Sequence, residues 1–273
     1  MSGIDAGRRE RTLLQFGSII VVGGGCYGSY YVRQLTRARR AKAVTWSRVL
    51  VVDRDASCRV AAECAAARDV AEWQGVQVVA QEWEAFFRDY FAHAAANPEQ
   101  SRLDAIVPSP LMPHLMLEWV KDRARTRWPA REIESRPLAR APKVPWQRAA
   151  PNGSHFVSFA EWMCPINCIE PARCPHTKGP RSWSLPDSAR EYVEEERLHG
   201  RALAGPVIFH CTHRAYGVGM FDTWRVLEAD DFVRTVAERH AVEILVGTMS
   251  HCHGVFEVLA VGGADPGSVD RGA

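Results

Sequence analysis

The stretch Gly17-Ser-Ile-Ile-Val-Val-Gly23-Gly-Gly25-Cys-Tyr-Gly28 decides how this chain is read. Its first seven residues are apolar, β-branched and closed by a glycine, which predicts a short buried strand. Beyond the glycines, Tyr27, Tyr31, Val32 and Leu35 recur at helical spacing. A strand running into G-x-G-x-x-G and then a helix lets backbone approach a pyrophosphate. Gly23 permits the tight turn, Gly25 the close approach, and Gly28 the packing of helix on strand. The helix N-terminus adds free N–H groups and the positive end of its dipole.

The alternation continues outward from that loop. Residues 48–53, RVLVVD, predict a second strand ending in Asp53, where a carboxylate can accept hydrogen bonds from ribose hydroxyls, and Asp55 or Ser57 could cap the next helix. Val76–Ala80 predicts a third strand before an aromatic-rich helix over 82–95. Asp104–Val107 predicts a fourth, before a helix reaching about Arg125. Strands alternating with helices predict an α/β fold with a doubly wound, Rossmann-like parallel sheet. The glycine loop, its flanking elements and Asp53 resemble the NAD(P)-binding Rossmann proteins, especially the TrkA-N-like type with a compact N-terminal dinucleotide domain. The resemblance covers residues 17–60, or 17–125 if the whole sheet is counted. It implies NAD or NADP across the strand ends, with Gly23, Gly25, Gly28 and Asp53 as contacts. The acid follows Gly28 by 25 residues, longer than the usual unit, and Arg54 beside it could meet a 2′-phosphate. The choice between NAD and NADP therefore stays open.

The pattern breaks where Pro129, Pro137, Pro142, Pro145 and Pro151 punctuate a basic stretch. Proline density of this kind predicts a linker over 128–152, separating a dinucleotide-binding domain at 1–127 from a C-terminal part at 153–273. In that part, residues 155–185 read as an irregular cysteine-rich insertion. Further α/β elements follow: a helix over 188–203, a strand over 207–210, a helix over 229–241 and a strand over 242–246. They either complete the first sheet or build a second. The glycine-rich tail after Val261 reads as frayed.

Cys164-Pro-Ile-Asn-Cys168-Ile-Glu-Pro-Ala-Arg-Cys174-Pro-His176 spaces three thiols as C-x3-C-x5-C. A proline-broken loop can turn them toward a common centre, as a regular helix cannot. The spacing matches neither the short zinc knuckles nor the common ferredoxin run, so iron–sulfur cluster and zinc are both open. Cys252, in Ser-His-Cys-His-Gly254, ranks first as fourth ligand and Cys211 second. His176, His213 or His253 would instead complete a Cys3His zinc site. Cys26, Cys58 and Cys64 read as buried, reduced thiols.

Around the loop, His213, Arg214 and Tyr216 sit in a glycine-flanked segment, and Lys178 follows the thiols; these four are the candidate catalytic groups, His213 as acid or base. Lysine occurs only four times among 34 basic residues, so the arginine excess reads as codon bias before phosphate binding. A net charge of +2 argues against a non-specific nucleic-acid binder. No apolar run is long enough for a membrane span, and charges fill the N-terminus where a signal peptide needs apolar residues. These features predict a cytoplasmic NAD(P)-dependent oxidoreductase with a metal or iron–sulfur centre. Its partner would be a small-molecule substrate or an electron-transfer protein, and homo-oligomerisation is possible. The alternative is a nucleotide-sensing regulatory protein with a structural zinc or redox-sensing cysteine site.

Overall fold

The computed structural model describes residues 13–67, 73–162, 164–166 and 168–263. The charged N-terminal segment to residue 12 and the glycine-rich tail from 264 lie outside the described residues. The chain is a mixed α/β fold with two sheets.

The first half runs β1 (Leu14–Val22), α1 (Cys26–Arg40), β2 (Val44–Asp53), α2 (Arg59–Ala66), β3 (Val76–Ala80), α3 (Trp83–Ala96), the single turn α4 (Pro98–Ser101), β4 (Ala105–Val107) and α5 (Leu115–Arg127). β1 pairs in parallel with β2 and β4, and β2 with β3. Because side chains alternate along a strand, Ile19 and Val21 face one way and Ile20 and Val22 the other, and all four are buried. One face packs on Val32 and Leu35 of α1 and Val60 of α2. The other packs on Phe87 and Phe91 of α3 and Val120 of α5. Burial on both faces accounts for the continuous apolar runs in these strands.

The second half departs from a purely parallel expectation. It contains β5 (Ile133–Arg136), β6 (Trp146–Ala149), β7 (His155–Ser158), α6 (Leu185–Leu198), β8 (Leu203–His210), β9 (Thr212–Ala215), β10 (Val218–Asp222), α7 (Thr223–Ala237), β11 (Val242–Met249) and β12 (His253–Val261). β10 joins β4 antiparallel and β9 joins β10, so the first sheet reads β3-β2-β1-β4-β10-β9. The second sheet reads β6-β7-β12-β11-β8, with β5 also on β12; only its β8–β11 pair is parallel. The C-terminal elements thus both extend the first sheet and build a second. The expected linker carries β5 and β6, which satisfy their backbone groups on β12 and β7.

Phe209, Ile244 and Leu259 of the second sheet share one core with α3, α5 and α7. Leu185, Tyr192 and Val193 of α6 cover its other face. A single residue, Cys211, carries the chain from β8 in the second sheet to β9 in the first, its N–H bonded to Met249 O at 2.8 Å. No helix among the described residues is long and apolar enough to cross a membrane.

Candidate functional site

A cleft of about 550 Å³ opens at the C-terminal ends of β1 and β2. It is bounded by Gly23, Gly25, Gly28, Asp53, Arg54 and Trp83, among others. The local sequence explains its shape. Gly23 adopts φ +85°, a left-handed conformation that favours glycine, and its N–H is bonded to Val52 O at 2.8 Å. At Gly28 a Cβ would stand 1.8 Å from Gly23 O, so only glycine lets α1 pack down on the loop. At Gly25 a Cβ would meet nothing within 4 Å, because that position faces the cleft. The α1 N-terminus has no side-chain cap and no acidic residue in its first turn. Its N–H groups therefore remain available to an anion.

Asp53 has a second task that sequence reading did not assign. Its Oδ2 accepts the Gly24 N–H at 2.7 Å and its Oδ1 the Asp55 N–H at 2.9 Å. The carboxylate therefore braces the glycine loop while lining the cleft. Neither Asp55 nor Ser57 caps α2: the N-cap is Cys58, and Asp55 Oδ1 accepts from Ser57 N–H and Oγ–H in a tight turn.

A second cavity, of about 620 Å³, adjoins the cleft; Tyr27 and Ser109 line both. Its far walls come from the cysteine loop (Cys164, Cys168, Glu170), the β9–β10 hairpin (His213, Gly219), Cys211, and the β11–β12 turn (Cys252, His253). Glu170 holds the loop to that turn. Its carboxylate accepts the backbone N–H groups of His251 at 3.1 Å and Cys252 at 3.2 Å. Burial alone would raise its pKa, but the Ser250 hydroxyl, the nearby His213 and His253, and the His251 N–H hold it below the usual carboxylate value. Arg181 donates to the Glu170 backbone carbonyl and closes the far side of the loop.

The four candidate catalytic residues are not gathered. His213 lines the cavity, its pKa lowered by burial, and its Nδ1 is buried without a partner. Arg214 is tied to Asp222 by a two-pronged ion pair. Tyr216 is 39% exposed at the tip of the β9–β10 hairpin, and Lys178 is exposed beyond the thiol loop. The glycine-bearing segment that holds three of the four is this hairpin. Tyr216 (φ +48°) and Gly217 (φ +82°) make a two-residue turn whose positive φ values match the twist of the strands.

Cys164, Cys168 and Cys252 line the cavity, while Cys174 sits outside its wall, on the next turn of the same loop. Burial, then the neighbouring Cys168, raises the Cys164 thiol. Cys252 is pushed up to about 12, again by burial first. Among the described residues no three His, Cys, Asp or Glu side chains are arranged to hold a single metal ion. Groups that sequence reading missed are Glu170, Trp162 and Trp183. Their one signal was position, within or flanking the thiol-bearing segment.

No curated protein and no solved structure matches the chain significantly. A family described as "Uncharacterized protein, C-terminal domain" matches residues 116–262. That range runs from α5 through β12 and holds the cysteine loop, the β9–β10 hairpin and the whole second sheet, but not the glycine loop. Over more than half of its length, then, the chain belongs to the AF_1314_C family, the C-terminal domain of an uncharacterized protein.

Proposed function

We propose that this chain is a NAD(P)-dependent oxidoreductase whose dinucleotide is held in the glycine-loop cleft of a Rossmann-like, doubly wound β3-β2-β1-β4 unit. The observation that carries the reading is the cleft itself. Three glycines spaced G-x-G-x-x-G, an uncapped helix N-terminus and a carboxylate at the end of β2 line one concave surface at the C-terminal strand ends. The residues fit the cofactor: Gly28 is small because α1 packs there, and Gly25 because the cleft lies in front of it. Gly23, Gly25, Gly28 and the first N–H groups of α1 would hold the pyrophosphate, and Asp53 a ribose. When bound, the nicotinamide supplies hydride exchange with a small-molecule substrate.

The adjoining cavity offers that substrate a largely apolar chamber with few polar groups. His213 is the group there suited to proton transfer. Burial lowers its pKa and so favours the neutral imidazole, whose buried, unpartnered Nδ1 would take the proton of a substrate hydroxyl that reaches it.

The reading is tested by calorimetric titration of the full chain with NAD, NADH, NADP and NADPH, with ATP and S-adenosylmethionine as controls. Saturable binding of at least one dinucleotide, stronger than either control, is expected. Absence of binding by all four overturns the assignment.

A further inference from the structure

Four of the eight cysteines differ from the rest in what surrounds their sulfur. The Glu170 backbone N–H donates to Cys168 Sγ at 3.4 Å, and the Trp183 indole N–H to Cys252 Sγ at 3.3 Å. The Trp162 indole N–H lies against Cys164; the contact falls short of a full hydrogen bond, and the buried nitrogen has no other partner. Cys174 is wrapped by its own turn. Its N–H is bonded to Gly179 O and its carbonyl to Lys178 N–H, and the backbone N–H groups of Thr177 and His176 act on its sulfur. Cys168 and Cys174 thus share a knuckle in which the N–H two residues on faces the sulfur. Two non-glycine residues nearby hold positive φ: Glu170, two residues past Cys168, at +47°, and Lys178, four past Cys174, at +57°. Strain of that kind persists where the surroundings over-determine it, and it clusters at ligand sites.

A neutral thiol gains little from an N–H donor, because sulfur is a weak acceptor, whereas a thiolate needs several. The remaining cysteines show the contrast. Cys211, half-buried, turns its S–H toward Phe209 O at 3.8 Å. Cys58 fills the space beside Gly24, and Cys26 is exposed on α1.

We propose that Cys164, Cys168, Cys174 and Cys252 are the thiolate ligands of one iron–sulfur cluster, seated between the cysteine loop and the β11–β12 turn. Four thiolates on one zinc, each at about 2.3 Å, must converge on a point, whereas the cysteines of a cluster bind separate irons around its periphery. The second arrangement suits these thiols. Cys164, Cys168 and Cys252 line one cavity of about 620 Å³ between the loop and the turn, room for a cluster rather than a single ion. Cys174 stands on the next turn of the loop, near Cys164. Two indoles and two knuckles then act as the outer shell that orients the ligands and tunes the cluster. The cluster also gives the 159–184 segment, which has few apolar side chains in the main cores, the internal tie it otherwise lacks. This proposal stands apart from dinucleotide binding, since none of its residues borders the glycine-loop cleft. Cys164, Cys168 and Cys252 do wall the adjoining cavity, so a cluster would take its far end and leave a substrate the end beside Tyr27.

The test uses the full chain, purified without oxygen and incubated with ferrous iron and sulfide, or with zinc in a parallel arm. Expected are a broad absorbance near ~400 nm and iron and sulfide each at about four per chain. Cys164→Ser, Cys168→Ser, Cys174→Ser and Cys252→Ser should each lose most of that absorbance, while Cys26→Ser and Cys211→Ser keep it. Cys174 sits on a surface turn, so its variant is the arm least exposed to misfolding; circular dichroism confirms the fold of each variant. A colourless, folded wild-type chain after reconstitution overturns the proposal. So does full absorbance in Cys174→Ser, or stoichiometric zinc retained with no sulfide.

Discussion

Gly25 and Gly28 belong to one motif, yet the structure assigns them different work, and a pair of substitutions separates the two roles. In Gly28→Ala the new methyl would lie 1.8 Å from Gly23 O, a backbone atom whose residue is itself bonded to Val52. It cannot swing aside as a side chain would. Helix α1 must retreat, and overpacking of this kind costs about 3 kcal/mol at the upper end of its usual range. Against that stands the helix-propensity gain of Gly→Ala, about 1 kcal/mol. Overpacking wins, leaving a net loss of about 2 kcal/mol and a melting temperature lower by about 5 °C for a chain of this size. Gly25→Val meets no protein atom, and Gly25 already has φ −73°, which valine accepts. Its melting temperature should stay within about 2 °C. The side chain would instead stand over the N–H groups of the α1 N-terminus. Losing two hydrogen bonds to a charged phosphate, at about 1.5–3 kcal/mol each, lowers dinucleotide affinity at least ~100-fold. Thermal melts by circular dichroism and titration calorimetry on both variants decide the matter. Wild-type dinucleotide affinity in a folded Gly25→Val, or equal destabilisation by the two changes, would refute the division of roles.

Two further outcomes follow from named groups. Asp53→Asn should weaken NAD about tenfold through loss of charge at the ribose, and NADP less; equal loss for both, measured by calorimetry, would leave Asp53 only as a brace for Gly24. Burial first, and then the nearby His251, lowers His210 to about 4, against an unfolded value of about 6.5. Its neutral form is the one the fold accepts, so the associated stability is present above pH 6.5 and is lost as the pH falls toward 4. The ring is only half-buried, so solvent screening trims the full linkage to about 1–2 kcal/mol. Urea unfolding at pH 7 and 4.5 should show that loss reduced in His210→Asn; an unchanged pH dependence would count against it.

The parallel half of the first sheet could be read from the sequence because β1, β2 and β4 are buried on both faces and written with apolar runs, while the edge strand β3, only partly buried, still carries valines at three of its five positions. Val76–Ala80 matches β3 end to end, and the remaining runs fall within β1, β2 and β4 or one residue beyond them. The strands that escaped owe their form to partners distant in the chain. β6, Trp-Gln-Arg-Ala between prolines, is a strand only because β7 pairs with it. The β9–β10 hairpin turns on Tyr-Gly, a weaker signal than Asn-Gly. β12 carries apolar residues from Val255 to Val261 broken only by Glu257, beside histidines that point a sequence reading toward ligands instead. Gly254 is glycine because a Cβ there would stand 2.4 Å from Met249 Cβ. At the site, the glycine loop was written in its spacing, as were the thiols. The bracing by Asp53, the anchoring by Glu170 and the isolation of Arg214 depend on contacts that no local pattern encodes.

The one-residue crossing at Cys211 bears on how a ligand reaches the cavity. Enzymes whose halves are joined by several free residues close on substrate by swinging one half about a hinge, whose φ and ψ absorb the rotation. Here the joint is a single residue with its N–H already committed to Met249, and the chain re-enters the second sheet after α7 to pair with the strand it left. Bending at Cys211 would shear the β8–β11 ladder. The two sheets therefore act as a fixed jaw, and the width of the cavity is set once the chain has folded. The cysteine loop, which supplies Trp162, Cys164, Cys168 and Glu170 to the cavity wall, carries no strand and is not held by either ladder. Without a cluster the loop is fastened chiefly by the Glu170 carboxylate and a few indole and backbone contacts, and it can part from the turn without unpairing a strand; a bound cluster would pin it there and fix this wall as well.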